Sequence, residues 1–278
     1  MNAARKPAAV ALDDGPIFDN AGPLVVIAGM NVIEDRDTLH LVAKTLTEIC
    51  RRLGVAFVFK ASFDKANRSS IASYRGPGLD AGLELLAEIK QACGTPILTD
   101  VHEPAQAAVA AQVADILQIP AFLARQTDLV TAVARTGAAI NLKKPQFLAP
   151  AEMTHVLRKC HEAGNDRVLI CERGTSFGYN NLVVDMLGID LMKPMAPIVF
   201  DVTHALQEPG GLSDRAGGRG EQTAALARAG VAIGIAGLFV EVHADPAKAL
   251  CDGPSALPLD RFETLLRQVM AVDAAVKR

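Results

Sequence analysis

The chain has 278 residues, half of them hydrophobic, with a formal net charge of −3 at neutral pH. That near-balance excludes a protein that holds nucleic acid or a membrane by bulk charge, so any knot of cations should serve a local, small anionic ligand. The length suits one large core, and five widely spaced cysteines with no CxxC pair read as reduced thiols of a cytoplasmic protein.

Residues 1–22 read as a leader, expected to form a small cap over the bottom of the fold, and they lack the apolar core of a signal peptide. Strand and helix signals then alternate. Leu24–Ala28 predicts a first strand and Thr38–Leu53 an amphipathic helix ended by Gly54. Val55–Lys60 predicts the second strand, with a helix near Gly82–Ala92; Pro96–Thr99 the third, with a helix from Pro104. Asp115–Gln118 pairs with a helix at Asp128–Arg135, and Ala138–Lys143 with one at Ala151–Ala163. Arg167–Cys171 precedes a helical stretch near Leu182–Leu187, and Ile198–Asp201 a helix at Glu221–Ala229. Gly237–Glu241 is the eighth strand, and Pro258–Val276 closes the chain as a helix. The longest apolar run, Val231–Val240, is interrupted by Gly234 and Gly237 and is too short to span a bilayer.

Eight β-then-α units predict a (β/α)8 TIM barrel, with residues 1–278 as a single domain. A doubly wound sheet is the alternative, but IAGMNV after the first strand offers no GxGxxG fingerprint. Gly/Pro clusters at 75–78 (RGPG) and 208–221 (EPGGLSDRAGGRGE) read as mobile lids over an active site.

The most informative stretch is VAFVFKASFDKANRSS, Val55 to Ser70. An apolar strand ends in Lys60, then Ser62, Asp64, Lys65, Asn67, Arg68, Ser69 and Ser70 follow within eleven residues. One such loop would ordinarily be a solvated connection, yet the other strands end the same way. Asn31 and Glu34 follow the first, Asp100 and His102 the third, Gln118 ends the fourth, Lys143 and Lys144 the fifth. Arg173 follows the sixth, Asp201 and His204 the seventh, Glu241 and His243 the eighth, with Asp252 in the last loop. A barrel gathers all of these at its C-terminal face. Two cation groups well apart in sequence imply two anionic ligand groups, with carboxylates and imidazoles for proton transfer or a metal.

KASFDKANRSS, SYRGPGL, TDVHEP, QIPAFLARQTDL, NLKKPQF, ERGTSFGYNN, FDVTHALQ, EVHADP and CDGPSALPL resemble the 3-deoxy-D-manno-octulosonate 8-phosphate synthase family, from about Leu24 to Leu259. The resemblance implies an aldolase-like barrel that condenses phosphoenolpyruvate with arabinose 5-phosphate and releases phosphate, for lipopolysaccharide synthesis. It implies that Lys60, Lys143, Arg173 and His204 hold phosphoenolpyruvate, with Gln118 and the Ala121 backbone nearby. Lys65, Asn67, Arg68 and Ser69 would take the sugar phosphate, with Arg125 arriving from a neighbouring subunit of a homo-oligomer, a tetramer. Lys60, His204, Glu241, Asp252 and Asn31 would carry the chemistry. In the metal-dependent branch a Cys completes a ligand set with residues matching His204, Glu241 and Asp252; Asn31 in GMNV resembles the metal-independent branch, with no cofactor. The alternatives are the related heptulosonate-phosphate synthase using erythrose 4-phosphate, whose loop carries a KPRTS-type motif in place of KANRSS, a Schiff-base aldolase using Lys60 or Lys143, and a non-catalytic sugar-phosphate-binding barrel.

Overall fold

The structure, a computed structural model, describes residues 9–212 and 215–277. Eight parallel strands form its centre: β1 (Val25–Gly29), β2 (Phe57–Lys60), β3 (Ile97–Asp100), β4 (Ile116–Ile119), β5 (Ala139–Lys143), β6 (Val168–Glu172), β7 (Ile198–Asp201) and β8 (Gly237–His243). Each pairs with its sequence neighbour, and β8 pairs with both β7 and β1, closing the sheet into a (β/α)8 barrel. Every residue of the eight strands is buried, which is why they are near-continuous apolar runs instead of alternating ones.

The helices that cover the barrel are α1 (Arg36–Leu53), α2 (Leu79–Cys93), α3 (Pro104–Ala110), α4 (Thr127–Ala134), α5 (Met153–Glu162), α6 (Met186–Met192), α7 (Thr223–Val231) and α8 (Phe262–Val276). Asp35 caps α1 by accepting the Thr38 amide, and Gly54 ends it in the left-handed conformation. One expected helix is misplaced. Leu182–Val183 pairs with Thr175–Ser176 in an antiparallel ribbon, and the helix behind β6 begins only at Met186. Leu182 and Val183 therefore belong to a hairpin whose partner strand, seven residues earlier, a local helical reading does not consider.

Alternation along the strands sorts two cores. Outward residues such as Val26, Phe59, Ile97, Leu117, Ile140, Ile170, Phe200 and Val240 join the helices in one buried cluster. Inward residues Val25, Ile27, Val58, Leu98, Ile116, Ala139, Leu169, Cys171, Val199 and Phe239 form a second, which also takes in Val10, Leu12 and Phe18 from the N-terminal hairpin Val10–Ala11/Ile17–Phe18. Continuing that inward phase by twos brings Lys60, Asp100, Gln118, Asn141, Lys143, Asp201 and Glu241 to the upper end of the barrel interior. The apolar layers end where this polar layer begins. Among the described residues no helix is long and apolar enough to cross a membrane.

Candidate active site

Above the polar layer lies a cavity of about 790 Å³, lined from the strand ends and the loops behind β2, β4, β7 and β8. Lys65, Asn67, Arg68, Ser69, Asp100, His102, Gln118, Ala121, Lys143, Arg173, His204 and Asp252 all border it. Most of the residues singled out from sequence thus meet in one place. Three others, Lys60, Asn31 and Glu241, are buried as a floor below it.

The floor is held by one carboxylate. Lys60 Nζ donates to Glu241 Oε1 at 2.7 Å and to the carbonyls of Asn31 and Met30 at 2.8 and 3.2 Å. Asn31 Nδ2 donates to the other Glu241 oxygen and to Asp252 Oδ2 at 3.0 Å. The amide orientation follows from its neighbours, since an amide oxygen facing two carboxylates would be repelled. Lys60 and Glu241 side chains are each 1% exposed, so this ion pair is fully withdrawn from water. Burial pushes the Lys60 ammonium down, an effect Glu241 partly offsets. Burial would raise Glu241, but His204 and Lys60 outweigh it and hold the carboxyl at about 2.

Lys143 and His204 share a second buried carboxylate. Lys143 Nζ donates to Asp201 Oδ2, and His204 Nδ1 lies 2.8 Å from the same oxygen. Asp201 also caps the single helical turn Val202–Ala205, accepting the His204 amide at 2.9 Å. Burial opposes ionisation of Asp201, yet His204 and Lys143 together hold it well below the usual carboxylate range. The 3.2 Å approach of Lys143 Nζ to His204 Nδ1 joins two donors on a shared acceptor. With Nδ1–H given to Asp201, His204 Nε2 is left to face Glu241 at 3.7 Å and Asp252 at 4.0 Å. The Phe239 ring lies beneath both lysines, 4.5 Å from Lys143 Nζ and 5.8 Å from Lys60 Nζ.

Arg173 differs from the lysines. It is buried, donates to the His204 carbonyl at 2.9 Å and to Gln207 Oε1 at 3.0 Å, and its Nε has no partner. Among the described residues no carboxylate lies within ion-pair distance of it, and burial pushes its guanidinium down. A buried cation that opens onto a cavity without a counter-ion is a waiting anion site.

Across the cavity, Lys65 Nζ stands 4.0 Å from Asp100 Oδ2, with His102 Nε2 at 3.2 Å from the same oxygen and Ser62 donating to Oδ1. Burial opposes the charge on both partners; Asp100 and Glu241 nevertheless raise Lys65, and Lys65 and His102 lower Asp100. The loop that follows is closed at its base, where the Lys65 amide meets the Arg75 carbonyl at 2.7 Å and the Gly78 amide meets Phe63 at 3.1 Å. Asn67 and Ser69 on that loop are exposed, and Arg68 partly so.

Several expected residues fall elsewhere. Arg125, expected to serve a neighbouring subunit's site, is exposed and does not border this cavity. Lys144 turns away from its neighbour Lys143 and packs with Glu172 at 3.6 Å. Glu34 and His243 pair with each other at the rim. Two residues not expected at the site join it: Gln207, which accepts from Arg173 and donates to Asp252 Oδ2 at 2.8 Å, and Asn141, which donates to Gln118 Oε1 at 2.9 Å. Asn141 was in view as the inward position two before Lys143; Gln207 carried no local signal beyond following DVTHAL. Cys251 borders the cavity, and burial pushes its thiol up to about 12, which disfavours the thiolate. One group of His, Cys, Asp and Glu able to gather round a cation occurs among the described residues, His204, Glu241 and Asp252, with ligand atoms within 4.8 Å of one another.

Fold and site together define a class: a (β/α)8 enzyme that receives anionic substrates at the C-terminal mouth of its barrel and moves protons there. The chain belongs to the DAHP synthetase I family, whose model matches residues 12–278. It is 62% identical over 259 residues to the 2-dehydro-3-deoxyphosphooctonate aldolase of Marinobacter nauticus, covering 93% of this chain and 92% of that one. The protein of the same name from Acinetobacter baylyi is 62% identical over 256 residues, 92% of this chain and 90% of its own. That of Pseudomonas fluorescens is 60% identical over 259 residues, 93% and 92% of the two chains.

Proposed function

We propose that this chain, as one barrel domain working in the cytoplasm, condenses phosphoenolpyruvate with arabinose 5-phosphate and water. The products are 3-deoxy-D-manno-octulosonate 8-phosphate and inorganic phosphate. The observation that carries the reading is the pair of cation groups facing each other across one cavity of about 790 Å³, Lys143 and Arg173 on one side and Lys65 and Arg68 on the other. Its volume suits two small phosphorylated substrates bound together. The names of the relatives favour the eight-carbon product over the heptulosonate alternative.

In this reading Arg173 and Lys143 take the phosphate and carboxylate of phosphoenolpyruvate, with Gln118 and the Ala121 backbone beside them. Lys65, Asn67, Arg68 and Ser69 take the sugar phosphate, so the aldehyde points back toward the floor. Holding C3 of phosphoenolpyruvate against that aldehyde supplies much of the rate, because C3 is a weak nucleophile. The new C–C bond leaves C2 electron-poor; water adds there, and the phosphate departs. Lys60, its ammonium pushed down by burial, is suited to give a proton to the nascent alkoxide. His204 Nε2, between Glu241 and Asp252, is the base for the attacking water, and Asp201 steadies the imidazolium.

The reading extends to the metal-independent branch. Asn31 presents amide hydrogens to Glu241 and Asp252, where a ligand set would need a lone pair. The hydrogen-bonded amide thus does for the two carboxylates what a cation would otherwise do. His204, Glu241 and Asp252 could gather round a cation, but Asn31 already occupies both carboxylates with its amide hydrogens, and no step is routed through a metal.

Phosphate release from phosphoenolpyruvate is expected with arabinose 5-phosphate and not with erythrose 4-phosphate; the reverse preference would overturn the substrate assignment. Full turnover is expected after exhaustive dialysis against chelator. Stoichiometric metal by elemental analysis, whose removal abolishes turnover, would sink the metal-free reading.

A further inference from the structure

The pair that the reaction leaves unused, Glu34 and His243, lies at the rim where three loops meet. One carboxylate oxygen of Glu34 meets the last residue of β8, and the other reaches the loop behind it, residues 244–256. Oε2 lies 3.3 Å from His243 Nε2, and Oε1 accepts the Leu250 amide at 2.8 Å. The imidazole has little choice of tautomer: Nδ1 accepts the Asp245 amide at 3.0 Å, so its proton sits on Nε2 and is donated to Glu34. The side chains are about nine-tenths buried.

The loop needs such a hold. It consists of two single 3₁₀ turns, Pro246–Lys248 and Gly253–Ser255, with Asp252 between them in the left-handed region at φ 50°. That region is costly for most side chains, although Asp tolerates it better than most. Among the described residues, the one hydrogen bond that reaches the backbone of 246–251 from outside the loop is the one from Leu250 to Glu34. The same stretch of chain before α1 also receives Tyr74, whose hydroxyl donates to the Ile33 and Glu34 carbonyls at 2.9 and 3.1 Å. Tyr74 belongs to the loop that carries Lys65 and Arg68 and borders the cavity.

We infer that Glu34 is a positioning residue: its carboxylate latches the loop behind β8 to the segment after β1 and so sets where Asp252 stands over the floor. The kinetic part of this inference rests on the reaction proposed above. Losing a group that orients a reacting residue commonly costs about tenfold to a hundredfold in activity.

Glu34→Ala and Glu34→Gln would be compared with the wild type in the full chain. The amide of Glu34→Gln can still accept from Leu250 but places a donor against His243 Nε2–H. Turnover per active site with phosphoenolpyruvate and arabinose 5-phosphate should fall by about tenfold or more in Glu34→Ala and less in Glu34→Gln, with KM for phosphoenolpyruvate moving by less than about threefold. Hydrogen exchange over 246–252 should quicken in the same order. A merely structural role would lower the melting temperature and the active fraction but leave turnover per active site unchanged, and that outcome overturns the inference. If Glu34→Ala fails to fold, Glu34→Gln decides by the same two measurements. If the wild type releases no phosphate from these substrates, the reaction reading fails; the latch is then judged by exchange alone, faster supporting it and unchanged overturning it.

Discussion

Lys143 and Arg173 stand on the same side of the cavity, yet removing them has different consequences. Lys143→Ala strands Asp201 in the interior without its cation, which costs about 3–5 kcal/mol for a broken buried pair. Arg173→Ala leaves no carboxylate behind, only the His204 carbonyl and the Gln207 amide oxygen beside an open cavity, so it disturbs stability less. It should lower kcat/KM for phosphoenolpyruvate by about 2–4 kcal/mol, tens to hundreds of fold, with little change in melting temperature. Arg68→Ala should act on the sugar phosphate instead, and steady-state kinetics with each substrate varied will separate them; an Arg68→Ala effect confined to phosphoenolpyruvate would refute the division. Glu241 makes an acid-stability prediction. Its folded value of about 2 lies below the ordinary 4.5, so its stabilising contribution is complete above about pH 4.5 and is lost as pH falls toward 2. Urea midpoints between pH 5 and 3 should therefore fall less steeply in Glu241→Gln than in the wild type, and equal slopes would contradict the assignment. The residue types at the site were readable in the sequence because each polar group directly follows an apolar strand. Their protonation partners were not, since Glu241 is 181 residues from Lys60 and 210 from Asn31.

The strands and helices owe their seating to a few positions without side chains. Gly230 in α7 lies where a Cβ would come within 2.2 Å of the Phe200 ring of β7, and Gly29 in β1 where one would come within 1.9 Å of the Lys60 carbonyl of β2. Gly230→Ala pushes a helix off the outer face of the barrel, away from the chemistry. Overpacking of this kind costs about 1–3 kcal/mol. The melting temperature should drop by roughly 2–4 °C for each kcal/mol, with both KM values unchanged. An undisturbed melting temperature would show that α7 is free to shift. The ribbons are the other lesson of the elements. Gln207–Leu212 pairs with Arg215–Gly218 in the expected lid, and Thr175–Ser176 with Leu182–Val183 where a helix was expected. The two-residue strands of the second ribbon carry too few positions for alternation to be counted, so only the pairing reveals them.

Arg125 is exposed and outside the cavity of its own chain. Phe147, Phe177, Leu187 and Leu191 are exposed as well. A homo-oligomer, a tetramer, is the expected state, with Arg125 completing a neighbour's sugar-phosphate site. Sedimentation should give the oligomer at working concentration, and Arg125→Ala should raise KM for the sugar phosphate without dissociating it. A fully active monomer, or an unimpaired Arg125→Ala, would overturn this.

The alternation of buried strand and amphipathic helix, eight times over, was enough to specify the barrel, because periodicity and turn residues are local properties that need no partner. The same local logic placed Lys60, Asp100, Gln118, Lys143 and Glu241 at strand ends, and a parallel barrel puts all strand ends on one face. What the residues do to one another was settled only by closure. When β8 pairs with β1, Glu241 comes level with Gly29, and a single carboxylate can bind Lys60 and Asn31 together. The ring of strands also brings Lys143 to Asp201, leaves Arg173 without a counter-ion among the described residues, and brings Gln207 and Glu34 against a loop far along the chain. Arg173 reaches the His204 carbonyl across 31 residues and Glu34 the Leu250 amide across 216, and distances through space follow from strand order and register, which no local pattern encodes.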